Sequence, residues 1–322
     1  MLSRVADSMY WMSRYVERAE NLARFVDVTF SLLLDLPAGS EGQWQPLVSV
    51  TGDQDWFRAR YGEATQENVV RFLSCDPDYP NSILLCVTHA RENARSIRET
   101  ISSEMWEHLN NFYFLVRDAA DRQKIEDAPQ EFLQEVRMFS HLFKGITDGT
   151  MSHGEGWQFA RLGRLIERAD KTSRILDVKY FTLLPAAEDT VSQFEELQWS
   201  AVLRSVSGFE MFRKRHRGIT PERVVGYLIL DRLFPRAIMH CVNAVDESLH
   251  AISGAPPGTY WNLAEKRAGM LRSKLAYAHV SEIIAGGLHP FLDELQTKLN
   301  GIDNAVYQTF IALQSDSSLA RP

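Results

Sequence analysis

Apolar residues at Val16, Ala19, Leu22, Ala23 and Val26 follow the i, i+3, i+6, i+7, i+10 spacing of one helical face. The same periodicity predicts further helices over 83–101, 104–122, 131–143, 159–184, 191–206, 222–230, 235–252 and 262–284, while strand-like alternation is hard to find. Pro37, Pro46, Pro77, Pro80, Pro129, Pro185, Pro221, Pro256, Pro257 and Pro290 fall mostly between these segments. There the missing amide donor and the restricted preceding residue interrupt helices at little cost. Cap chemistry marks several starts. In Thr220-Pro221-Glu222 the threonine oxygen can accept an orphan amide hydrogen and proline suits the first helical position, and Pro80-Asn81-Ser82 reads as the capped start of the helix at 83. The expected fold class is all-α.

The helical pattern is written twice. RYVERAENLARFVDV (14–28) matches RLIERADKTSRILDV (164–178) at Arg14/164, Glu17/167, Arg18/168, Ala19/169, Arg24/174, Asp27/177 and Val28/178, an offset of 150 residues. Further on, 56–72 aligns with 211–227 at an offset of 155, which also pairs Pro80 with Pro235, Cys86 with Cys241, Glu92 with Glu247 and Trp106 with Trp261. This period is far longer than that of a solenoid. The expectation is therefore two halves, 1–149 and 150–322, related by a pseudo-twofold and packed together as one unit, with the boundary near Gly149 and the two tryptophans in the core between the halves.

Charge is concentrated in two places. Arg14, Glu17, Arg18, Asn21 and Arg24 occupy the helix face opposite the apolar stripe, flanked by Tyr10 and Phe25, and Arg164, Glu167, Arg168, Lys171 and Arg174 occupy the equivalent face of the second copy. Either these arcs are solvated sides laced by weak ion pairs, or the pseudo-twofold brings them together to line a shared cleft. Arg91, Arg95 and Arg98 recur at i, i+4, i+7, so on one continuous helix three guanidinium forks would point the same way, a pattern suited to carboxylate or phosphate, with Glu92 and Glu99 beside them.

Other chemistries find less support. Glu17-x-x-Glu20, Glu167-x-x-Asp170 and Glu247-Ser248-Leu249-His250 are parts from which helical di-iron sites are built, but the position matching His250 is Arg95, and Arg18 and Arg168 crowd the other carboxylates. No metal site and no cofactor is expected. The chain has no glycine-rich phosphate loop, no GxSxG and no HExxH, and Cys86 and Cys241 read as buried small hydrophobes.

Composition narrows the setting. With 322 residues, 45% of them hydrophobic, there is ample material for a buried core. A net charge of −7 argues against a broad nucleic-acid surface and leaves room only for a local anion site. Three cysteines without metal-ligand spacing fit a reducing, cytoplasmic setting, and no apolar run approaches the ~20 residues of a membrane span.

Long strings of the chain carry a family likeness: MLSRVADSMYWMSRYVERAENLAR, NSILLCVTHARENARSIRETISSEMWEHLN, EGWQFARLGRLIERADKTSRILD and FRKRHRGITPERVVGYLILDRLFPRAIMHC. The sequence resembles the bacterial Alpha-E domain family over nearly its whole length. The resemblance implies an all-helical protein encoded beside or fused to a circularly permuted ATP-grasp enzyme, often near a transglutaminase-like peptidase, with no settled reaction. The family pattern falls on Arg14, Glu17, Arg18, Glu20, Asn21 and Arg24, on Asn81, Ser82, Arg91, Glu92, Asn93, Arg95, Arg98, Glu104 and Trp106, and on Arg164, Glu167, Arg168, Asp170 and Arg174. Ser13 departs from a usual glycine and His216 from a usual tyrosine.

Residues and resemblance together suggest an accessory protein of an ATP-grasp amide or peptide ligase, binding an acidic peptide or small carboxylate in an Arg/Glu-lined cleft, with no role for nucleic acid or membrane. Arginines would position the acid, with Glu17 and Glu167 orienting them or binding the attacking amine. A different class of reading makes Glu17 or Glu167 the general base of an amide hydrolase or transferase, although adjacent arginines oppose the raised pKa this needs. A carboxylate-bridged metal protein and a purely structural ion-pair network complete the alternatives.

Overall fold

A computed structural model describes residues 1–35, 44–122, 124–182 and 191–312. Every regular element among them is helical. The first series is α1 (Ser3–Asp35), α2 (Gln45–Thr51), α3 (Gln54–Tyr61), α4 (Gln66–Ser74), α5 (Ile83–Ser96), α6 (Ser103–Asp121), the short α7 (Lys124–Asp127) and α8 (Pro129–Thr150). The second is α9 (Glu155–Thr182), α10 (Val191–Ser205), α11 (Phe209–Arg215), α12 (Pro221–Leu230), α13 (Ile238–Ser253), α14 (Leu263–Ala276), α15 (Val280–Ala285) and α16 (Leu288–Val306), closed by a π turn at Tyr307–Ile311. The chain is all-α.

Side-chain caps start the helices where the sequence places them. Ser82, Ser102, Thr65, Thr220 and Asn262 each accept the amide hydrogen three residues on, and Pro129 and Pro221 stand in first turns that have no use for the missing donor. Packing is organised as two rings of four helices. In one, α1 packs on α5, α5 on α6, α6 on α8 and α8 on α1; in the other, α9 packs on α13, α13 on α14, α14 on α16 and α16 on α9. The two longest helices, α1 and α9, lie against each other and run parallel: Tyr10 meets Gly163, and further along Glu17 meets Arg168. Short α2 reaches across to α9 and α10 to α1, so each ring is buttressed by a segment of the other series.

Apolar packing repeats at the 155-residue offset. Phe57, Tyr61, Phe72 and Tyr79 stack together in the first series, and Phe212, His216, Tyr227 and Phe234 in the second, with the Phe72–Tyr79 and Tyr227–Phe234 centroids 4.0 and 4.7 Å apart. Cys86 and Cys241 are fully buried, and burial pushes both thiols up to about 12.

Three expectations need correction. Trp261 is 66% exposed and Trp106 half-buried beneath arginines, so neither packs between the halves. The helix expected over 83–101 ends at Ser96, because the chain turns at Ile97 to bury that side chain, leaving Arg98 in a separate 3₁₀ turn. The helix expected over 262–284 breaks after Ala276, where the chain turns to set Val280 against Gly226 of α12, a tertiary contact that overrides the local period. The end of the segment expected over 159–184 lies outside the described residues beyond Thr182.

The α1–α9 crossing depends on Gly163: a Cβ there would stand 2.3 Å from the carbonyl oxygen of Tyr10, a backbone atom that cannot step aside. Gly163→Ala is expected to lower stability by about 2–3 kcal/mol through overpacking. Gly145→Ala, on the open face of α8, should raise it by roughly 0.5–1 kcal/mol. Urea midpoints of the two variants check both signs.

Candidate functional site

On a single helix, adjacent residues diverge by about 100°, and Glu17 and Arg18, like Glu167 and Arg168, turn to partners outside their own helix. Two parallel helices carrying Glu-Arg at the same level supply those partners by crossing. Arg18 of α1 donates through Nε and NH2 to the two carboxylate oxygens of Glu167 at 2.7 and 3.0 Å, and Arg168 of α9 donates through the same two nitrogens to Glu17 at 2.8 and 2.7 Å. Each bridge is a two-pronged fork, and the two are reciprocal. Glu17, Glu167 and Arg168 are almost fully buried.

Around the Glu17 bridge, Arg236, just before α13, donates to Glu17 at 3.1 Å, to Asn21 at 2.9 Å and to Glu20 at 2.5 Å. Arg24 donates to Glu20 through Nε and NH2 at 2.8 and 2.6 Å, to His141 Nε2 at 2.9 Å, and also to the Ser207 hydroxyl. Burial lowers the His141 pKa, which fits the neutral acceptor that this bond requires. Ser207 holds φ +51°, a left-handed backbone that a serine rarely adopts, at the position matching Gly52 (φ +81°).

Around the Glu167 bridge the cast changes. Lys171 stands where α1 has Asn21 and reaches Asp170 at 3.1 Å and Glu167 at 3.4 Å, while Asn81, the match of Arg236, accepts from Arg18 at 2.7 Å. One level supplies its extra cation from the segment before α13 and the other from α9 itself. Arg174 donates to Asp170 at 2.9 Å. Arg14 donates to Glu167 at 3.0 Å and to Tyr10 at 3.3 Å, pairs with Asp303 at 2.7 Å and stacks on Trp11, and Tyr10 in turn donates to Asp303 at 2.5 Å.

Burial alone would raise every carboxylate here, but the guanidinium groups more than reverse it. Glu17, Glu20, Glu167 and Asp170 are all held below the usual carboxylate range, by Arg168 and Arg236, by Arg236 and Arg24, by Arg18 and Lys171, and by Lys171 and Arg174 respectively. They are fully ionised acceptors at neutral pH.

Arg164 is the exception. At the position matching Arg14 it has only Asp148 within reach, at 4.0 Å, and its shielded Nε has no hydrogen-bond partner. Asp148 accepts instead from Trp157 Nε1 at 3.1 Å. Lys144, one turn before Asp148 on α8, makes no ion pair among the described residues. Burial, then the neighbouring Arg168, lowers the Arg164 pKa, and burial with Arg164 and Arg168 lowers that of Lys144.

The second arginine group stands apart. Arg91 donates to Asn110 at 2.8 Å and to Glu92 at 3.0 Å and lies over Tyr113 and Trp106, Arg95 is exposed and bound to Glu92, and Arg98 lies over Trp106. These are not three parallel forks, because α5 has ended before Arg98, and none of the three bonds to α1 or α9. Ser82 caps α5, Asn93 donates to the His89 carbonyl at 2.8 Å, and Glu104 is exposed in the first turn of α6. Sequence reasoning marked Tyr10 as a flank of the charged arc but passed over Arg236, Asp303, Lys144 and Ser207. The exchange of Asn81 for Arg236 beside matched prolines was the one legible sign.

The sequence profile of the Alpha-E family, described as a predicted alpha-helical domain with a conserved ER motif, matches residues 1–311. The chain belongs to the Alpha-E family. It carries the Glu-Arg dipeptide at 17–18, 167–168 and 222–223, and the first two form the crossed bridges. Among similar proteins are an uncharacterized protein of Mycobacterium bovis and one of Mycobacterium tuberculosis, each 24% identical over 315 residues, which is 91% of this chain and 34% of theirs. The chain thus spans about a third of the length of these relatives. No solved structure matches. Among the described residues, no three His, Cys, Asp or Glu side chains gather as metal ligands, and no helix is long and apolar enough to cross a membrane.

Because the carboxylate pKa values are depressed, the bridges contribute their full stability above the unfolded carboxylate range and lose it as pH falls through the folded values. Urea midpoints are expected to stay flat from about pH 8 to 5 and to drop steeply below about pH 4. Removing one partner should be worse than removing both: Arg168→Met costs about 3 kcal/mol by taking the two-pronged bond from buried Glu17, which keeps Arg236 and Asn21, and adding Glu17→Met recovers part of that loss.

Proposed function

We propose that this Alpha-E chain is a non-catalytic accessory module of a cytoplasmic amide- or peptide-forming ATP-grasp system, and that it receives an acidic peptide or small carboxylate at the Arg164 end of the α1–α9 seam. The observation that carries the reading is the unanswered positive charge there. Arg14 has Glu167, Tyr10 and Asp303, whereas Arg164 has Asp148 at 4.0 Å, and Lys144, whose pKa burial and then Arg164 lower, adds a second positive charge. A buried guanidinium nitrogen without an acceptor is costly, and a ligand carboxylate meets that need with a charge-assisted hydrogen bond.

The Glu-Arg dipeptides are assigned a structural task on this reading. Both oxygens of Glu17 and of Glu167 are engaged by guanidinium groups and both acids are held ionised, which favours orientation of the arginines over general-base catalysis. The matched bridges and rings support two copies of one unit, 1–149 and 150–322, related by a pseudo-twofold along the seam. That the mycobacterial relatives are about three times as long supports a module working beside other domains. The circularly permuted ATP-grasp protein, and a transglutaminase-like peptidase, are the partners this reading names.

Two measurements test it. Triglutamate titrated into the purified chain should bind, and Lys144→Met should weaken it about 10-fold by removing one charge-assisted contact. Addition of the chain should also raise amide formation by the ATP-grasp protein encoded with it. Absence of both triglutamate binding and any effect on the ligase overturns the proposal.

A further inference from the structure

The outer face of the second ring differs from that of the first in a way that points to a ligand. In the first ring, Arg91 of α5 lies over Tyr113 and Phe114 of α6, filling the space between the two helices. At the matched positions of the second ring stand Asp246, Ala268 and Gly269. The cation has become an anion and both aromatic rings are gone. Two grooves open there, of about 430 and 390 Å³, and Asp246, Arg272 and Ser273 line both.

Asp246 is 6% exposed and receives no hydrogen bond from the described residues. Its neighbours are poorly placed to answer it: His250 Nε2 is 3.7 Å away, and Arg272 Nε, at 3.2 Å, is itself shielded without a hydrogen-bond partner. Burial raises the Asp246 pKa despite both of them. A carboxylate sunk in a groove, with ion-pair neighbours but no hydrogen bond from them, offers its oxygens to an ammonium or guanidinium group from outside. The Arg272 side chain is partly exposed, and the exposed Arg232 lines the larger groove with it, so positive charge is offered in the same groove as Asp246. Tyr277, 84% exposed, lines the larger groove, and Tyr260, 58% exposed, the smaller one.

We propose that the groove between α13 and α14 binds an amino-carboxylate zwitterion, its ammonium group on Asp246 and its carboxylate on Arg272 and Arg232. The volume suits a free amino acid or the terminus of a short peptide. The site is distinct from the Arg164 end of the seam and stands or falls without it.

Calorimetric titration with glycine, L-lysine, L-glutamate and glycylglycine tests the assignment. At least one is expected to bind with a Kd below about 10 mM, and N-acetylation or C-terminal amidation of that probe should each weaken it about 10-fold or more. Tighter binding of glycylglycine identifies a peptide terminus as the source, and tighter binding of a single amino acid identifies the free compound. Asp246→Asn should abolish binding, as should Ser273→Trp, which fills the groove from its exposed wall. Failure of all four probes, indifference to blocking, or undiminished binding in both Asp246→Asn and Ser273→Trp overturns the proposal.

Discussion

Everything in this fold depends on two parallel helices holding four charged side chains out of water. Glu17 and Arg18, adjacent on one helix, point in different directions, and each finds its partner on the other long helix. Set a second such helix parallel and in register, and each Glu faces the other helix's Arg in a two-pronged bond, as Arg18–Glu167 and Arg168–Glu17 do. A shift by one residue would leave buried charges unpaired. Buried ion pairs add little net stability, because desolvation offsets their attraction, but they penalise wrong registers heavily. The bridges are best understood as a register device, with Gly163 permitting the close approach and the apolar rings providing the cohesion.

The matched positions where the two series disagree are the informative ones. Extra positive charge comes from Arg236 at one bridge and from Lys171 at the other, a change of supplier that leaves the pairing intact. Arg14 is saturated and Arg164 is not. Arg91 sits on an aromatic bed, whereas Asp246 sits in a groove. Packing explains positions that agree, since both series must build the same ring. Positions that lose a partner or open a space are explained by neither packing nor register, and that is where the two ligand readings rest.

Much of the fold was legible in the chain before any coordinates. Period 3.6 over long stretches marked most of the helices, and Ser82 and Thr220 announced their starts, because capping is a local transaction between a side chain and the next turn. The likeness of 14–28 to 164–178 singled out the side chains that form the crossed bridges. Errors arose where distant segments set the outcome. Ile97 ended a helix that its charges would have continued, and Val280 broke another to reach α12. Trp261, equivalent in sequence to the half-buried Trp106, stands in solvent, because equivalence along the chain does not guarantee an equivalent neighbour.

Helical class, most of the longer helices, and the identity of the charged faces followed from residue type and spacing, since those depend on interactions within a few positions along the backbone. Whether a charged face is wetted or sealed depends on what covers it. Arg14 and Arg164 share one motif, yet one meets a tyrosine and an aspartate while the other keeps a bare nitrogen. That contrast arises from Tyr10 on the same helix and Asp303 nearly 300 residues away, brought together by packing that no local pattern encodes.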